Sequence, residues 1–201
     1  SSTPSPATVC AGGSVTLTGG GATSYTWTDG TNTPANNVAF VPAASSTYTV
    51  TGIDGNGCSN TASLPVTVNA LPVVTASSTP SPATVCAGGS VTLNGGGAST
   101  YTWTDGSNTQ TNGVAFVPAA SSTYTVTGTN GNGCTATATL PVTVNALPTV
   151  SANSTPSPAT VCAGGSVTLN GSGASSYSWT DGSNTPSNGV AFVPAASSTY
   201  T

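Results

Sequence analysis

Residues 2–17 read STPSPATVCAGGSVTL, and the same letters stand again at residues 78–93 and 154–169. A spacing of 76 residues separates neighbouring copies. Self-similarity at a fixed period is typical of repeat proteins, in which each copy is one structural unit that packs against the next. The SVTL at the end of the stretch alternates apolar and polar residues, which favours a β-strand with one face in a core.

The repeat divides the chain into three predicted domains, at residues 1–71, 72–147 and 148–201. The third copy stops at Thr201, which aligns with Thr49 in the middle of a predicted strand of the first copy. We therefore expect the third repeat to lack its last strand. Half a sandwich leaves its core open, so we expect either a longer chain or a further segment that completes this repeat.

The composition argues against several classes of function. The 201 residues include no Lys, Arg or His and only 4 acidic residues, which gives a net charge of −4. Proteins bind the nucleic acid backbone through Lys and Arg, so we expect no nucleic acid partner. No segment approaches the roughly 20 apolar residues of a membrane-spanning helix, so we expect no membrane insertion.

Each full repeat is predicted to contain six short strands, because apolar residues alternate with Ser and Thr in six segments. In the first repeat these segments are residues 7–10, 14–18, 24–29, 38–41, 48–53 and 58–68. Asn56-Gly57 between the last two segments is a strong hairpin signal, and Pro65 predicts an edge position or a bulge in the last strand. Short strands with evenly spaced turns predict an all-β chain of small antiparallel sandwiches.

Two aromatic positions make the predicted sandwich immunoglobulin-like (Ig-like). A Trp lies on the third strand, where the Ig fold has its core Trp, and a Tyr begins the penultimate strand after a corner, where it has its tyrosine corner. We therefore predict tandem Ig-like antiparallel β-sandwiches in line. The predicted core aromatic residues are Trp27, Tyr48, Trp103, Tyr124, Trp179 and Tyr200.

The run VCAGGSVTL, followed by SYTWTDG, STYTVTGIDGNGCSNTA and VTVNALP, resembles the Ig-like and PKD-like repeats of very large surface proteins in Bacteroidota. These proteins include adhesins of gliding bacteria that the type IX secretion system exports. The resemblance covers the whole chain, and Cys-Ala-Gly-Gly-Ser and Asn-Gly-Cys are its most specific marks. It implies an extracellular, cell-surface location, an array of many copies and no catalytic residues. The chain departs from the family in having neither Lys nor Glu.

The cysteines of a chain without His indicate disulfides made in an oxidising compartment. A zinc site needs four clustered Cys or His ligands, and a Cys nucleophile needs a base, so we expect neither. The candidate disulfide residues are Cys10, Cys58, Cys86, Cys134 and Cys162.

Two disulfide pairings are open at this point. Pairing within a repeat would join Cys10 to Cys58 and Cys86 to Cys134, with Cys162 left over. However, Cys10 precedes the second strand and Cys58 follows the last hairpin turn, which places them at opposite ends of a sandwich, about 16 Å or more apart. A disulfide needs Cα atoms within about 7 Å. In an in-line array the end with Cys10 meets the next repeat, so we favour Cys10–Cys134, with Cys86 paired to the missing part of repeat 3.

The other polar candidates have simpler structural explanations. Asp54 begins a DGNG turn, but a calcium loop needs several carboxylates and a closing Glu, and Asn130 replaces Asp54 in the second repeat. Asp29 and its equivalents precede Gly after the Trp strand, which is typical of a turn-capping Asp. A glycosidase would need two carboxylates in one site. We therefore expect no metal, no cofactor and no enzymatic activity.

The favoured function is a structural or adhesive repeat segment of an extracellular fibre or surface stalk. Its expected partners are other copies of the same repeat or chain, with glycans as a further candidate. The alternative is a module that binds polysaccharide or a surface through many weak contacts, summed by avidity. Exposed aromatic side chains would favour the alternative, and buried ones would favour the fibre.

Overall fold

The computed structural model describes the whole chain, residues 1–201, and every regular element in it is a β-strand. The chain divides into two compact units, Ser1–Val144 and Asn145–Thr201. The first unit holds repeat 1 and nearly all of repeat 2, and the second holds repeat 3. The prediction of an all-β fold is confirmed, and repeats 1 and 2 each form the predicted sandwich of two sheets. None of its elements is a helix with the length and apolar character needed to cross a bilayer.

Repeat 1 forms two sheets, with strand orders β1-β3-β5 and β2-β7-β6-β4. All pairs are antiparallel except β2 and β7, which run parallel. The first strand segment of the repeat thus contributes to both sheets, as β1 and then β2. The strands are β1 (Ser2–Thr3), β2 (Thr8–Cys10), β3 (Val15–Leu17), β4 (Ser24–Thr28), β5 (Ala39–Phe40), β6 (Ser46–Ile53) and β7 (Ser59–Asn69).

Repeat 2 has the same arrangement, with strand orders β8-β10-β13 and β9-β15-β14-β11-β12. The short β12 is an addition at the edge of the larger sheet. The strands are β8 (Thr75–Thr79), β9 (Thr84–Cys86), β10 (Val91–Gly96), β11 (Thr100–Thr104), β12 (Thr109–Gln110), β13 (Ala115–Phe116), β14 (Ser122–Thr129) and β15 (Thr135–Asn145).

The core of each of these repeats lies between its two sheets. In repeat 2, Val91 and Leu93 of β10 pack with Trp103 of β11 and Val142 of β15, and none of the four is more than 2% exposed. The equivalent residues of repeat 1 form the same cluster. The two-residue alternation in SVTL sends Val and Leu inward and Thr outward, because successive side chains of a strand point to opposite faces.

Six strands are found at the predicted positions in repeat 1, but β1 was not predicted. Pro4 and Pro6 separate it from β2, and its two residues, Ser2 and Thr3, are both polar, so they show no alternation that would predict a strand. The alternation in VAFV, residues 38–41, predicts that Val38 shares an inward face with Phe40. Phe40 packs against the core, whereas Val38 precedes the short β5 and is 55% exposed.

Pro65 lies where β7 has a neighbour on one side only. It is opposite Thr47 of β6, and β2 covers only the last three residues of β7, from Thr67 onward. The N–H of Thr67 donates to the Ala7 carbonyl on the β2 side. Residues two apart direct their N–H groups to the same side, so the missing N–H of Pro65 leaves no bond unmade. The predicted edge position is confirmed.

Repeat 3 forms a single three-stranded sheet of β16 (Ser151–Thr155), β17 (Val167–Ser172) and β18 (Ala191–Phe192). The residues that align with β2, β4 and β6 form no regular strands. In repeat 1 the strands β2 and β6 are bonded to β7, and the third copy has no residues that align with β7. Thr180 and Thr201 still exchange two backbone hydrogen bonds of 2.9 Å.

Candidate functional site

The strongest candidate site is the joint between repeats 1 and 2, within the first compact unit. We call the β6–β7 hairpin end of a sandwich its top, and the opposite end its bottom. Cys10 is opposite Asn69, the last residue of β7, and so lies at the bottom of repeat 1. Cys58 immediately precedes β7 and lies at the top. The 11 residues of β7 span roughly 33 Å, which excludes a Cys10–Cys58 disulfide.

A disulfide joins Cys10 at the bottom of repeat 1 to Cys134 at the top of repeat 2. Their Cα atoms are 5.6 Å apart, although 124 positions separate them in sequence. This separation lies in the ordinary range for disulfides. The favoured Cys10–Cys134 pairing is therefore confirmed, and the pairing within repeats does not form.

A tight turn holds Cys134 in position for this bond. The Asn130 side-chain oxygen accepts hydrogen bonds from the N–H groups of Asn132 and Cys134, each at 3.0 Å. Gly133 has a positive φ of 79°, which glycine adopts without steric cost. The Asn-Gly signal thus produces the predicted hairpin, and the hairpin presents Cys134 with 0% of its surface exposed.

Asn130 also connects the top of repeat 2 to the linker that leaves repeat 1. Its side-chain N–H group donates a hydrogen bond of 2.9 Å to the Ala70 carbonyl oxygen. The sulfur of Cys134 lies 3.9 Å from the carbonyl oxygen of Asn69. Sequence reasoning used Asn130 only to argue against a calcium loop. The signal that it missed is the replacement itself: Asp54, at the same position of repeat 1, has no side-chain N–H group, whereas Asn130 has one.

Three of the predicted disulfide residues are not paired in this structure. Cys58, Cys86 and Cys162 are exposed free thiols. Cys58 occupies the position in repeat 1 that Cys134 has in repeat 2, and Cys86 and Cys162 occupy the position of Cys10. A disulfide role for these three cysteines stays a prediction.

The tryptophans are buried, with exposed fractions of 3% for Trp27, 0% for Trp103 and 8% for Trp179. The Asn36 side-chain oxygen accepts hydrogen bonds from the Trp27 indole N–H at 2.9 Å and from the Gly19 N–H at 2.7 Å. The same bonds recur in the other repeats. Sequence reasoning missed these asparagines, which are Asn36, Asn112 and Asn188.

Tyr48 and Tyr124 are 1% and 3% exposed, whereas Tyr200 is half-buried. The ring of Tyr48 meets the ring of Phe40 edge to face, with centroids 5.3 Å apart. Burial, and then a hydrogen bond to the Asp29 carboxylate, raise the pKa of the Tyr48 hydroxyl. Tyr48 of β6 thus lies close to the turn that follows β4.

Asp29 caps that turn. Its carboxylate accepts hydrogen bonds from the backbone N–H of Thr31 at 3.0 Å, and from the backbone and side-chain N–H groups of Asn32 at 2.6 and 2.9 Å. The side-chain bond from Asn32, followed by the two backbone bonds, holds the pKa of Asp29 well below its usual value. Asp105 and Asp181 make equivalent bonds. Both carboxylate oxygens of Asp29 are engaged, as expected for a turn cap.

Beside the equivalent turn of repeat 2 is an open groove of about 410 Å³, lined by residues such as Asp105, Gln110, Phe116 and Ser122. Its walls are mostly polar. No group of three or more His, Cys, Asp or Glu side chains in the chain is placed to hold a metal ion. Asp105 is the only charged side chain in the lining, and its carboxylate already caps the turn, so the joint carries the stronger argument.

No protein family and no curated protein matches this sequence. Among solved structures, the chain is similar to murine CEACAM1b, with 13% identity, a TM-score of 0.29, and coverage of 70% of this chain and 96% of that one. It is also similar to a Ca²⁺-stabilized adhesin with which an Antarctic bacterium binds ice, with 20% identity, a TM-score of 0.35, and coverage of 89% and 59%.

A third similar structure belongs to a 1.5-MDa bacterial ice-binding adhesin, with 18% identity, a TM-score of 0.34, and coverage of 89% of this chain and 78% of that one. The chain thus spans less than two thirds of the Antarctic adhesin structure. At these identities and TM-scores the similarities say nothing about activity, ligand or partner.

Proposed function

We propose that this chain is a non-catalytic structural segment of an extracellular fibre or surface stalk, in which disulfides between neighbouring repeats stiffen the joints. The Cys10–Cys134 disulfide is the observation that carries this proposal. A covalent bond between two separately cored domains contributes nothing to either core. Its effect is on how the two domains move relative to each other.

Three connections link repeat 1 to repeat 2, and together they limit how far the joint between the repeats can bend. The peptide chain crosses it at the linker that contains Ala70, the disulfide crosses it at Cys10, and Asn130 adds a hydrogen bond to the linker. A single flexible connection allows two bodies to swivel freely. A second covalent connection at a different point removes most of that freedom, so the joint transmits force and orientation.

The chemistry of the chain fits a location outside the cell. Disulfides persist in oxidising compartments such as the extracellular space. The surface relies on Ser, Thr and Asn for hydration, because the chain has no Lys or Arg and only 4 acidic residues. A joint without ion pairs is also insensitive to salt. We further propose, on the resemblance of its motifs, a cell-surface protein of the type IX-secreted adhesin kind in Bacteroidota.

The alternative of a polysaccharide-binding module receives less support. Sugar-binding platforms use exposed aromatic rings, whereas the indole rings of Trp27 and Trp103 are buried and bonded to asparagine. The hydroxyl of the half-buried Tyr101 is engaged by the backbone of Ala98. Retention of the chain on insoluble polysaccharides, at a level that competing soluble sugar abolishes, would favour the alternative.

Single-molecule stretching of the full chain between its ends tests the structural role. The disulfide excludes the 124 positions between its cysteines from extension, which shortens the fully stretched chain by roughly 400 Å. We expect this shortening in the native chain and in a Cys58→Ser control, and its loss in Cys10→Ser. We also expect the native joint to bend less in solution scattering than the joint of Cys10→Ser. Equal bending of the two would contradict the proposed function.

A further inference from the structure

The top of repeat 1 has the same turn as the disulfide-bonded top of repeat 2. The Asp54 side-chain oxygen accepts hydrogen bonds from the N–H groups of Asn56 and Cys58, each at 2.9 Å. The Asp54 N–H donates to the Cys58 carbonyl at 3.0 Å, as the Asn130 N–H donates to Cys134 at 2.9 Å. Cys58 is therefore held in the geometry of the bonded cysteine, yet its thiol is exposed and free.

Two cysteines of the chain likewise reproduce the other half of the joint. Cys10 accepts a backbone hydrogen bond of 2.8 Å from Gly13 in the turn before β3. Cys86 and Cys162 accept the same bond at 2.8 Å from the glycines at the aligned positions. Both of these cysteines are exposed free thiols. The chain thus has one free cysteine at the top position of a repeat, Cys58, and two free cysteines at the bottom position, Cys86 and Cys162.

Cys58 and Cys86 do not meet within the first compact unit. Cys58 precedes β7 at the top of repeat 1, whereas Cys86 ends β9, which neighbours β15 at the bottom of repeat 2. The Cys10–Cys134 disulfide joins the opposite ends of these two repeats. The two thiols are therefore separated by the lengths of two strands, β7 and β15. Each strand has 11 residues and is roughly 33 Å long. A partner for Cys58 with the geometry of the observed joint must come from a further repeat.

We propose that the top of repeat 1 receives the bottom of a repeat from a second copy of this chain, and that Cys58 forms a disulfide with Cys86 or Cys162 of that copy. This inference rests on the proposed function and extends it, because it joins chains head to tail with the joint that joins repeats within one chain. Head-to-tail contacts are open-ended, so they build a filament rather than a closed dimer.

A small-molecule disulfide is the oxidant in this step. The thiolate of Cys58 attacks one sulfur of the oxidant, forms a mixed disulfide and releases one equivalent of small thiol. The thiolate of Cys86 or Cys162 from the second copy then attacks the sulfur of Cys58 and releases the second equivalent. In total, two protein thiols are oxidised to one disulfide, and one small disulfide is reduced to two thiols.

One difference from the observed joint makes the disulfide more important between chains. Asp54 has a carboxylate where Asn130 has the N–H group that binds the Ala70 carbonyl. The joint between chains therefore lacks this hydrogen bond, and no linker peptide connects its halves. Its disulfide is the main connection, so we expect the copies to separate under reducing conditions.

The test uses the full chain, isolated without reductant and then equilibrated with oxidised and reduced glutathione. Non-reducing electrophoresis and peptide mapping report the products. We expect a ladder of multimers in which Cys58 is linked to Cys86 or Cys162. The Cys58→Ser variant should lose at least nine tenths of the multimers, and a variant with serine at both Cys86 and Cys162 should lose as much.

Three results would overturn the inference: a chain that stays monomeric, multimers that persist in Cys58→Ser, or random pairing that includes Cys58–Cys58. The state of Cys10 in the same peptide maps separates this inference from the proposed function. A monomer that retains Cys10–Cys134 contradicts only the link between chains. A monomer without Cys10–Cys134 contradicts the proposed function as well.

Discussion

The side-chain N–H group of Asn130 donates a 2.9 Å hydrogen bond to the Ala70 carbonyl oxygen, across 60 positions of sequence. The bond connects the hairpin that holds Cys134 to the linker that leaves repeat 1. Position 130 is one of the few positions at which the two full repeats have side chains of different chemistry, since repeat 1 has Asp54 there. The difference identifies a residue that acts at the joint and not in the sandwich.

Replacing the donor at the joint should weaken it. Asn130→Asp keeps the oxygen that accepts from Cys134 but turns an acceptor toward the Ala70 carbonyl. A lost hydrogen bond of this kind costs about 0.5–1.5 kcal/mol, so we expect calorimetry to show a melting temperature lower by about 1–6 °C. The reciprocal Asp54→Asn, which preserves its turn, is the control and should change little. An equal loss in both variants would show that the turn, and not the joint, is affected.

Removing the asparagine behind a core tryptophan should destabilise its repeat. The Asn112 side-chain oxygen accepts from the Trp103 indole N–H at 2.9 Å and from the Gly95 N–H at 2.6 Å. Asn112→Ala leaves two partly buried donors without an acceptor, at a cost of about 1–3 kcal/mol each. Urea denaturation followed by tryptophan fluorescence measures the loss. The exposed Asn132→Ala is the matched control, and equal stability of the two variants would contradict the assigned role.

A methyl group at Gly95 should collide with an aromatic ring. An added Cβ would lie 2.5 Å from the ring of Tyr101, and the hydroxyl of that tyrosine is fixed by two hydrogen bonds to Ala98. Overpacking of this kind costs about 1–3 kcal/mol. Gly131→Ala is the control, because an added Cβ there meets nothing within 4 Å. A Gly95→Ala variant as stable in urea as Gly131→Ala would show that the Tyr101 ring moves freely.

The turn carboxylates should produce a loss of stability in acid. The pKa values of Asp29, Asp105 and Asp181 are lowered in the folded chain, chiefly by hydrogen bonds from asparagine side chains and backbone N–H groups. Their stabilising effect is present above the unfolded value of about 3.9 and is lost as pH falls through the lower folded values. We expect the melting temperature to be flat from about pH 5 to 8 and to fall below about pH 4.

Asparagine at all three positions keeps an acceptor oxygen and removes the titration. The acid decline of this triple variant should be shallower than that of the native chain. Because the carboxylates are exposed, the difference should also be modest. An unchanged decline would assign the acid sensitivity to other groups.

Much of the fold could be predicted because its causes are local. In SVTL the two-residue alternation places Val15 and Leu17 in the core, and both are 0% exposed. The Asn-Gly pair before Cys58 predicts a hairpin, and Gly57 has the positive φ that such a turn requires. The Cys10–Cys134 pairing followed from topology, since the two ends of one sandwich are too far apart to be bridged.

The remaining features depend on contacts between residues that are distant in sequence. Trp27 carries a burial signal in its own strand, but nothing nearby indicates that Asn36 binds its indole N–H. The strand β1 consists of two polar residues and is held by its pairing with β3. Of the regular strands missing from repeat 3, those aligned with β2 and β6 pair with β7 in repeat 1, and the one aligned with β4 pairs with β6.

A disulfide connects neighbouring repeats and not the two ends of one repeat. This pairing can be checked by digesting the native chain with its thiols blocked and analysing the peptides by mass spectrometry without reduction. We predict a peptide pair that joins Cys10 to Cys134 and vanishes on reduction. A pair that joins Cys10 to Cys58, or Cys86 to Cys134, would show that the disulfides form within repeats and would contradict the stiffened joint.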